Sequence, residues 1–292
     1  MNSRENTISE NRKLFIVSDL HIGDGSSRDN LIKDNKIFLF NRFLDEVEKQ
    51  DGSLLILGDL LELWRYPLDA ILQRWWKLFD RLSEMNVVYV PGNHDELLDL
   101  RYANDRTMHP FFQSLQQPFY KTIGCNRFKF MHGHEVDPLI SRHLRSLAPF
   151  LRLLAGTLEF GSSSCLITSD RVTDILLEAG EQFLHIWHTL TRQVNHAVYS
   201  HLGFSGESLT CLKCPIRTRN MLARFYKQQG SGVYDITVTG HTHKAGHFRD
   251  WYFNCGSWTQ HIMNYLIIYP DGWIEVRNWT AEGSTINTAS VA

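Results

Sequence analysis

Three short apolar runs, Leu14 to Val17, Leu54 to Leu57 and Val87 to Val90, punctuate the first third of the chain, each rich in Val, Ile or Leu and each ending at a polar or glycine-containing turn. Runs of that length without alternation predict strands buried on both faces, as in a parallel sheet. Between the first two, Ile37, Phe40, Phe43, Leu44 and Val47 share one face of a helix, and a second amphipathic stretch extends from about Pro67 to Met85. Strand, helix, strand, helix, strand is the grammar of βαβ units. Further strands are expected at Arg127 to Met131, Tyr234 to Thr239, Trp251 to Phe253, Tyr265 to Tyr269 and Trp273 to Val276, the last two joined by a turn at Pro270-Asp271-Gly272. So many strands predict a second sheet.

From about Asp137 to Gly232 the rhythm changes to a mainly helical pattern, which predicts an inserted helical cap over residues 137–232 on a core built from 1–136 and 233–292. Within it Ile140, Leu144, Leu147, Leu151, Leu154 and Leu158 follow an alternating spacing of four and three, with Arg142, Arg145 and Arg152 on a neighbouring face. Such a stripe packs a helix on a core and leaves its arginines in water, or it meets an anionic substrate or a membrane surface.

Composition narrows the class. In 292 residues, 30 Lys and Arg stand against 32 Asp and Glu, a net charge of −2 that argues against a protein whose main business is coating nucleic acid. No stretch approaches the ~18 apolar residues that span a bilayer. The polar opening MNSRENTISENRK lacks the apolar core of a signal peptide, and five scattered cysteines do not form a secreted disulfide framework. The expectation is a cytoplasmic protein with reduced thiols, touching the inner face of the membrane, if at all, through the cap.

The chemistry gathers where the strands end. Asp19 and His21 follow the first run in SDLHIGD, Asp59 the second in LGDLLELW, and Asn93, His94 and Asp95 the third in PGNHDE; His132 lies in MHGHE, and His241 and His243 lie in TGHTHK. In open α/β sheets ligands bind at that carboxyl edge. Hydrolysing a phosphate ester at neutral pH needs a hydroxide nucleophile and neutralisation of phosphoryl charge, and two divalent ions supply both. Asp59 is the carboxylate chosen to bridge them; Asp19, His21 and one histidine of GHTH would complete one shell, Asn93, His132 and the other the second. Mixed oxygen and imidazole donors suit Mn foremost, with Fe or Zn next. Residues i and i+2 leaving a strand share a side, so Asp19 with His21, and His241 with His243, should converge while Leu20 and Thr242 face away. Glycines at 58, 92, 133 and 240 sit at these turns, where a missing Cβ permits close approach.

These blocks resemble the calcineurin-like metallophosphoesterases, whose pattern DxH, GD, GNH(D/E), a single His and GHxH is matched in order by Asp19 and His21, Gly58 and Asp59, Gly92 to Asp95, His132, and Gly240 to His243. The resemblance covers about 200 residues and implies a two-sheet β sandwich flanked by helices (α/β/β/α), the cap lying outside it. It implies one ion held by Asp19, His21, Asp59 and His243, a second by Asp59, Asn93, His132 and His241, attack by a metal-bridging hydroxide, and His94 as the acid that protonates the leaving oxygen, positioned by Asp95. Within the family the chain is similar to the bacterial UDP-2,3-diacylglucosamine pyrophosphatases through SDLH, Trp64 after GDLLEL, the MHG block, the helical insertion and Gly256 to Trp258. It departs from them in having GNHD for GNRD and HGHE for HGD. The substrate implied is a phosphorylated small molecule or a lipid-linked diphosphate; a nuclease or phosphodiesterase with the same centre, and a non-catalytic scaffold on the same fold, are the alternatives.

Other residues take ordinary roles. His109, His185, His188, His196, His201, His247 and His261 are expected to be packed or at the surface, and Cys211 and Cys214 to be buried thiols. Trp75 and Trp76 are expected in the core with Leu72 and Phe79. His134 either orients His132 or touches phosphate, or else lines the rim. Lys213, Arg217, Arg219, Arg224 and Lys227 form a basic cluster before GHTH that attracts phosphate or is merely solvated.

Overall fold

The first strand has two apolar faces and buries both. In β1 (Leu14–Val17), Leu14 and Ile16 enter one cluster while Phe15 and Val17 enter another. The next strands, β2 (Ser53–Leu57) and β3 (Val88–Val90), repeat the division, with Leu55, Leu57, Val88 and Val90 on one side and Leu54, Ile56 and Tyr89 on the other. A strand covered on both sides has no polar position to alternate with, which is why these segments read as unbroken apolar runs. This structure is a computed structural model, and it describes residues 8, 9, 11–96, 98, 108–137, 216–230 and 232–287. The chain divides into two compact units, 1–133 with 232–291, and 134–231.

The first unit holds two mixed sheets. Its other strands are β4 (Phe119–Ile123), β5 (Asn126–Phe130), β6 (Ile236–Thr239), β7 (Gly246–Phe248), β8 (Tyr252–Asn254), β9 (Met263–Ile268), β10 (Ile274–Thr280) and β11 (Gly283–Ile286). One sheet runs β11-β10-β9-β1-β2-β3 and the other β4-β5-β6-β8-β7. β1, β2 and β3 are parallel, as are β5, β6 and β8. The two strands joined at Pro270-Asp271-Gly272 extend the first sheet, β9 pairing antiparallel with β1. A purely apolar layer that includes Phe128, Phe130, Ile236 and Val238 fills the space between the sheets.

The outer face of the first sheet is covered by α1 (Lys36–Lys49) and α2 (Leu68–Glu84), which bury Phe40, Phe43, Leu44 and Val47, and Ile71, Leu72, Trp75, Phe79 and Leu82. Trp258 is wedged edge-on between Phe40 and Phe43, so the tryptophan of the Gly-Ser-Trp segment is a core residue. Trp76 departs from the expectation: it is 48% exposed, because it sits one position round the helix from Trp75 and off the buried face. Among the described cysteines Cys125 is exposed and Cys255 buried, both as free thiols. No described helix is long and apolar enough to cross a membrane.

In the second unit, α3 (Ile216–Gln229) carries Arg224, whose guanidinium donates to the Val136 carbonyl at 3.0 Å. The leucine stripe from Ile140 to Leu158, His185 and His188, and Cys211 and Cys214 lie outside the described residues.

His109 caps the 3-10 turn Pro110–Ser114: its Nδ1 accepts the Phe111 N–H at 3.1 Å, while Nε2 stands 3.1 Å from Asp80. Only the neutral ring can accept at Nδ1. Burial lowers this imidazole below its ordinary 6.5 by more than Asp80 raises it. The unfolded chain therefore takes up the proton more readily, so the stability this group contributes is complete above its unfolded value and is lost as pH falls through the lower native one. Between about pH 7.5 and 5.5 the urea midpoint should fall further for the natural chain than for His109→Gln, and parallel falls would contradict this role.

Candidate metal centre

The turns after β1, β2, β3, β5 and β6 supply every polar group of the site. β1 and β2 are stitched beyond their ends, Asp19 N–H donating to Gly58 O at 3.0 Å and His21 N–H to Asp59 O at 3.0 Å. The Gly240 N–H donates to His132 O at 2.9 Å, tying the β5 and β6 turns together in the same way. Asp19, His21, Asp59, His241 and His243 all have left-handed backbones, with φ between 49° and 68°. A non-glycine residue in that region costs of order 1–3 kcal/mol, and strain gathered in this way marks a functional site. The convergence of Asp19 with His21 is thus not simple strand alternation. Leu20, between them, is nonetheless fully buried in the core.

The side chains form two clusters and a third that shares residues with both. Asp19, His21 and His243 have donor atoms within 4.8 Å of one another, as do Asp59, His132 and His241; His21, Asp59 and His94 make up the third. Asp19 Oδ1 lies 3.0 Å from His243 Nε2 and 3.9 Å from His21 Nε2. Its Oδ2 is occupied elsewhere, by the Ser18 hydroxyl and by the His241 N–H at 3.0 Å. Asp59 is divided likewise: Oδ1 accepts the His94 N–H at 2.8 Å, while Oδ2 stands 3.1 Å from His132 Nε2 and 3.8 Å from His21 Nε2. One oxygen therefore faces both clusters. Asn93 Oδ1 is buried with no hydrogen-bond donor among the described residues, an arrangement that costs about 1–3 kcal/mol unless something electropositive meets it. Orphaned oxygen, carboxylates and imidazoles together are a donor set for divalent transition ions.

Hydrogen bonds on the far nitrogens decide which imidazole nitrogen faces the centre. His132 Nδ1 donates to Leu57 O at 2.8 Å, leaving Nε2 toward Asp59. His21 Nδ1 is held by Glu62 Oε2 at 2.9 Å, leaving Nε2 toward Asp19 and Asp59. Burial opposes charge here, yet the charges answer one another. The histidines hold Asp59 well below the usual carboxylate range and Asp19 at about 2, while Asp59 and Asp19 pull His132 up to about 10.

Glu62 is the site residue that sequence reasoning missed. Fully buried, it spends one oxygen on His21 and the other, at 2.9 Å, on His94 Nδ1. Burial raises its carboxyl, but the two imidazoles outweigh that and hold it ionised. Asp95, expected to position His94, does not touch it. Its carboxylate accepts from Gly92 N–H at 2.6 Å, Leu61 N–H at 3.0 Å and the Tyr89 hydroxyl, and so staples the β2 and β3 turns. The available signal was the acid three positions after Asp59 in GDLLEL. His134 belongs to the second unit, buried and 3.6 Å from Glu135.

A Cβ at Gly92 would lie 2.2 Å from Asp59 Oδ1 and 2.6 Å from its backbone nitrogen, and one at Gly58, with φ +92°, would lie 2.1 Å from His132 Nδ1. Gly92→Ala should displace Asp59 and weaken binding of a divalent transition ion by about 10-fold or more with the fold retained. A metal titration read beside circular dichroism checks this, and unaltered affinity would show that the contact yields freely.

Residues 12–245 match the family model for calcineurin-like phosphoesterases. No curated protein matches the chain. Solved structures similar to it include a dimetal phosphatase from Danio rerio (13% identity, covering 96% of this chain and 99% of that one, TM-score 0.50). Wild-type Vps29 complexed with zinc from Entamoeba histolytica (14%, 96% and 99%, TM-score 0.42) and vacuolar protein sorting 29 from Cryptosporidium parvum (12%, 95% and 96%, TM-score 0.42) are others. At 13% identity the likeness to the phosphatase speaks for fold alone.

Proposed function

Because this chain belongs to the calcineurin-like phosphoesterase family, we propose that it is a dimetal-dependent hydrolase of phosphoester or phosphoanhydride bonds. The observation that carries the reading is the single oxygen, Asp59 Oδ2, facing both the Asp19–His21–His243 and the Asp59–His132–His241 clusters. Asp19, His21 and His243 would hold one ion, Asn93, His132 and His241 the other, and Asp59 both. When bound, the two ions supply an ionised water at neutral pH and neutralise charge on the phosphoryl oxygens. Manganese is the first choice on donor chemistry, with iron or zinc next.

The chain's own groups do the rest. Glu62 and Leu57 O hold His21 and His132 by Nδ1, so that Nε2 of each faces inward and would offer its lone pair to an ion that displaces the proton there. Ser18 and His241 N–H hold Asp19 by one oxygen so that the other faces the centre. His94, gripped by Glu62 at Nδ1, keeps Nε2 to protonate the departing oxygen.

A UDP-linked glycolipid is the narrower reading of the substrate, supported by the sequence around Trp64 and Gly256 to Trp258; His94, where that branch carries arginine, supports a more general ester. The test is one purified sample supplied with Mn, Fe or Zn and assayed on monoesters, diesters, nucleotide diphosphates, a UDP-linked glycolipid and an oligonucleotide. Metal-dependent release of phosphate or a nucleotide is expected. Protein that binds two ions and cleaves none of them would overturn the assignment.

A further inference from the structure

Trp64 grips both halves of the Asn93–His94 pair. Its indole lies face to face on the His94 imidazole, centroids 3.7 Å apart and planes inclined by 13°, and its Nε1 donates to the Asn93 carbonyl at 2.9 Å. His94 is thereby boxed in: Glu62 holds Nδ1 at 2.9 Å, the His21 ring meets it edge-on at 4.5 Å and 85°, and Trp64 covers a face. With Nδ1 taken, Nε2 is the nitrogen left for a substrate. Tilting the ring would break the Glu62 hydrogen bond or lose the stacked face.

We propose that Trp64 is a positioning residue that holds His94 for protonating an alcohol leaving group, and that the substrate is therefore a phosphate ester of an aliphatic alcohol in preference to an anhydride. The inference rests on the hydrolase reading above and deepens it. As water oxygen bonds to phosphorus and the ester P–O bond breaks, the departing oxygen takes the Nε2 proton and leaves as the alcohol; the proton shed by the water restores His94. An alkoxide is a poor leaving group and needs that proton, whereas a phosphate released from an anhydride departs readily without it. Three contacts hold this one imidazole, and an alkoxide is the leaving group that most needs the proton it presents.

The test compares the full-length, zinc-loaded protein with Trp64→Leu, which removes stack and donor, and Trp64→Phe, which keeps an aromatic face. Glycerol phosphate and 4-nitrophenyl phosphate are the probes. On glycerol phosphate Trp64→Leu should lose kcat by about 10- to 100-fold with KM little changed, on 4-nitrophenyl phosphate far less, and Trp64→Phe should recover most of the difference. Adding Trp64→Leu to His94→Ala should cost nothing further on the alkyl ester. Bound metal, measured by elemental analysis, should match the natural protein. Independently of activity, the His94 ring protons should be shifted upfield by the indole in carbon-edited NMR of histidine-labelled protein and should move downfield in Trp64→Leu. Equal losses on both esters, additivity with His94→Ala, or unshifted His94 protons would overturn the positioning role. A shifted His94 in a protein that turns over only anhydrides would overturn the alcohol-ester assignment, and one that cleaves no phosphorus bond would overturn the hydrolase reading itself, with the substrate class that rests on it.

Discussion

Asp59→Ala is expected to empty both ion positions and to lower turnover by ~10³-fold or more, since in the proposed dimetal centre Asp59 is the ligand that both shells would share. The size follows from the geometry. Asp59 Oδ2 stands 3.1 Å from His132 Nε2 and 3.8 Å from His21 Nε2, so this one carboxylate oxygen faces both clusters. Its Oδ1 also anchors the His94 backbone at 2.8 Å, so the alanine loosens the acid as well as the metals. Asp59→Asn separates these effects, because an amide oxygen still accepts the His94 N–H while the charge is gone; it should regain order around His94 without regaining two ions. Metal per chain by elemental analysis, read beside hydrolysis of an activated ester, decides the matter. An alanine variant that retains two ions and ordinary turnover would show that the bridge lies elsewhere.

His94→Ala should leave the metals in place and reduce the rate by about 10²–10⁴-fold for alkyl esters, with a smaller loss for esters whose leaving group departs unaided. Glu62→Gln shares that direction and adds a second effect. Because Glu62 also holds His21 Nδ1 at 2.9 Å, its loss should weaken metal affinity by about 10- to 100-fold. The pair of variants therefore tells the acid's support apart from the acid. A metal titration in which Glu62→Gln binds as tightly as the natural protein would confine Glu62 to His94, and equal losses by His94→Ala on activated and unactivated esters would remove His94 from proton transfer.

Much of the fold was legible because burial on two faces leaves an unmistakable trace. The strands β1, β2 and β3 and the helices α1 and α2 lie within a residue or so of where apolar periodicity placed them. Those missed, β4, β7 and β11, lie at sheet edges and are half exposed, as in Gly246–Phe248, or largely exposed, as in Gly283–Ile286, where little apolar patterning is required. Trp76 shows the same limit from the other side, since hydrophobicity alone does not say which of two adjacent tryptophans turns inward.

The site divides along similar lines. Which residue types could hold ions, and that they lie just past strand ends, followed from the chain alone: divalent ions call for carboxylates and imidazoles, and parallel strands deliver them to one edge. Which acid holds which histidine was a question of direction in space. Asp95 is adjacent to His94 along the chain, yet its carboxylate is claimed by Gly92, Leu61 and Tyr89, and Glu62, thirty-two positions away, reaches the ring instead. Hydrogen bonds select partners by distance and angle after the backbone has turned, and the left-handed turns at Asp19, His21 and Asp59 that aim these side chains are set by cross-strand bonding, which no local pattern encodes.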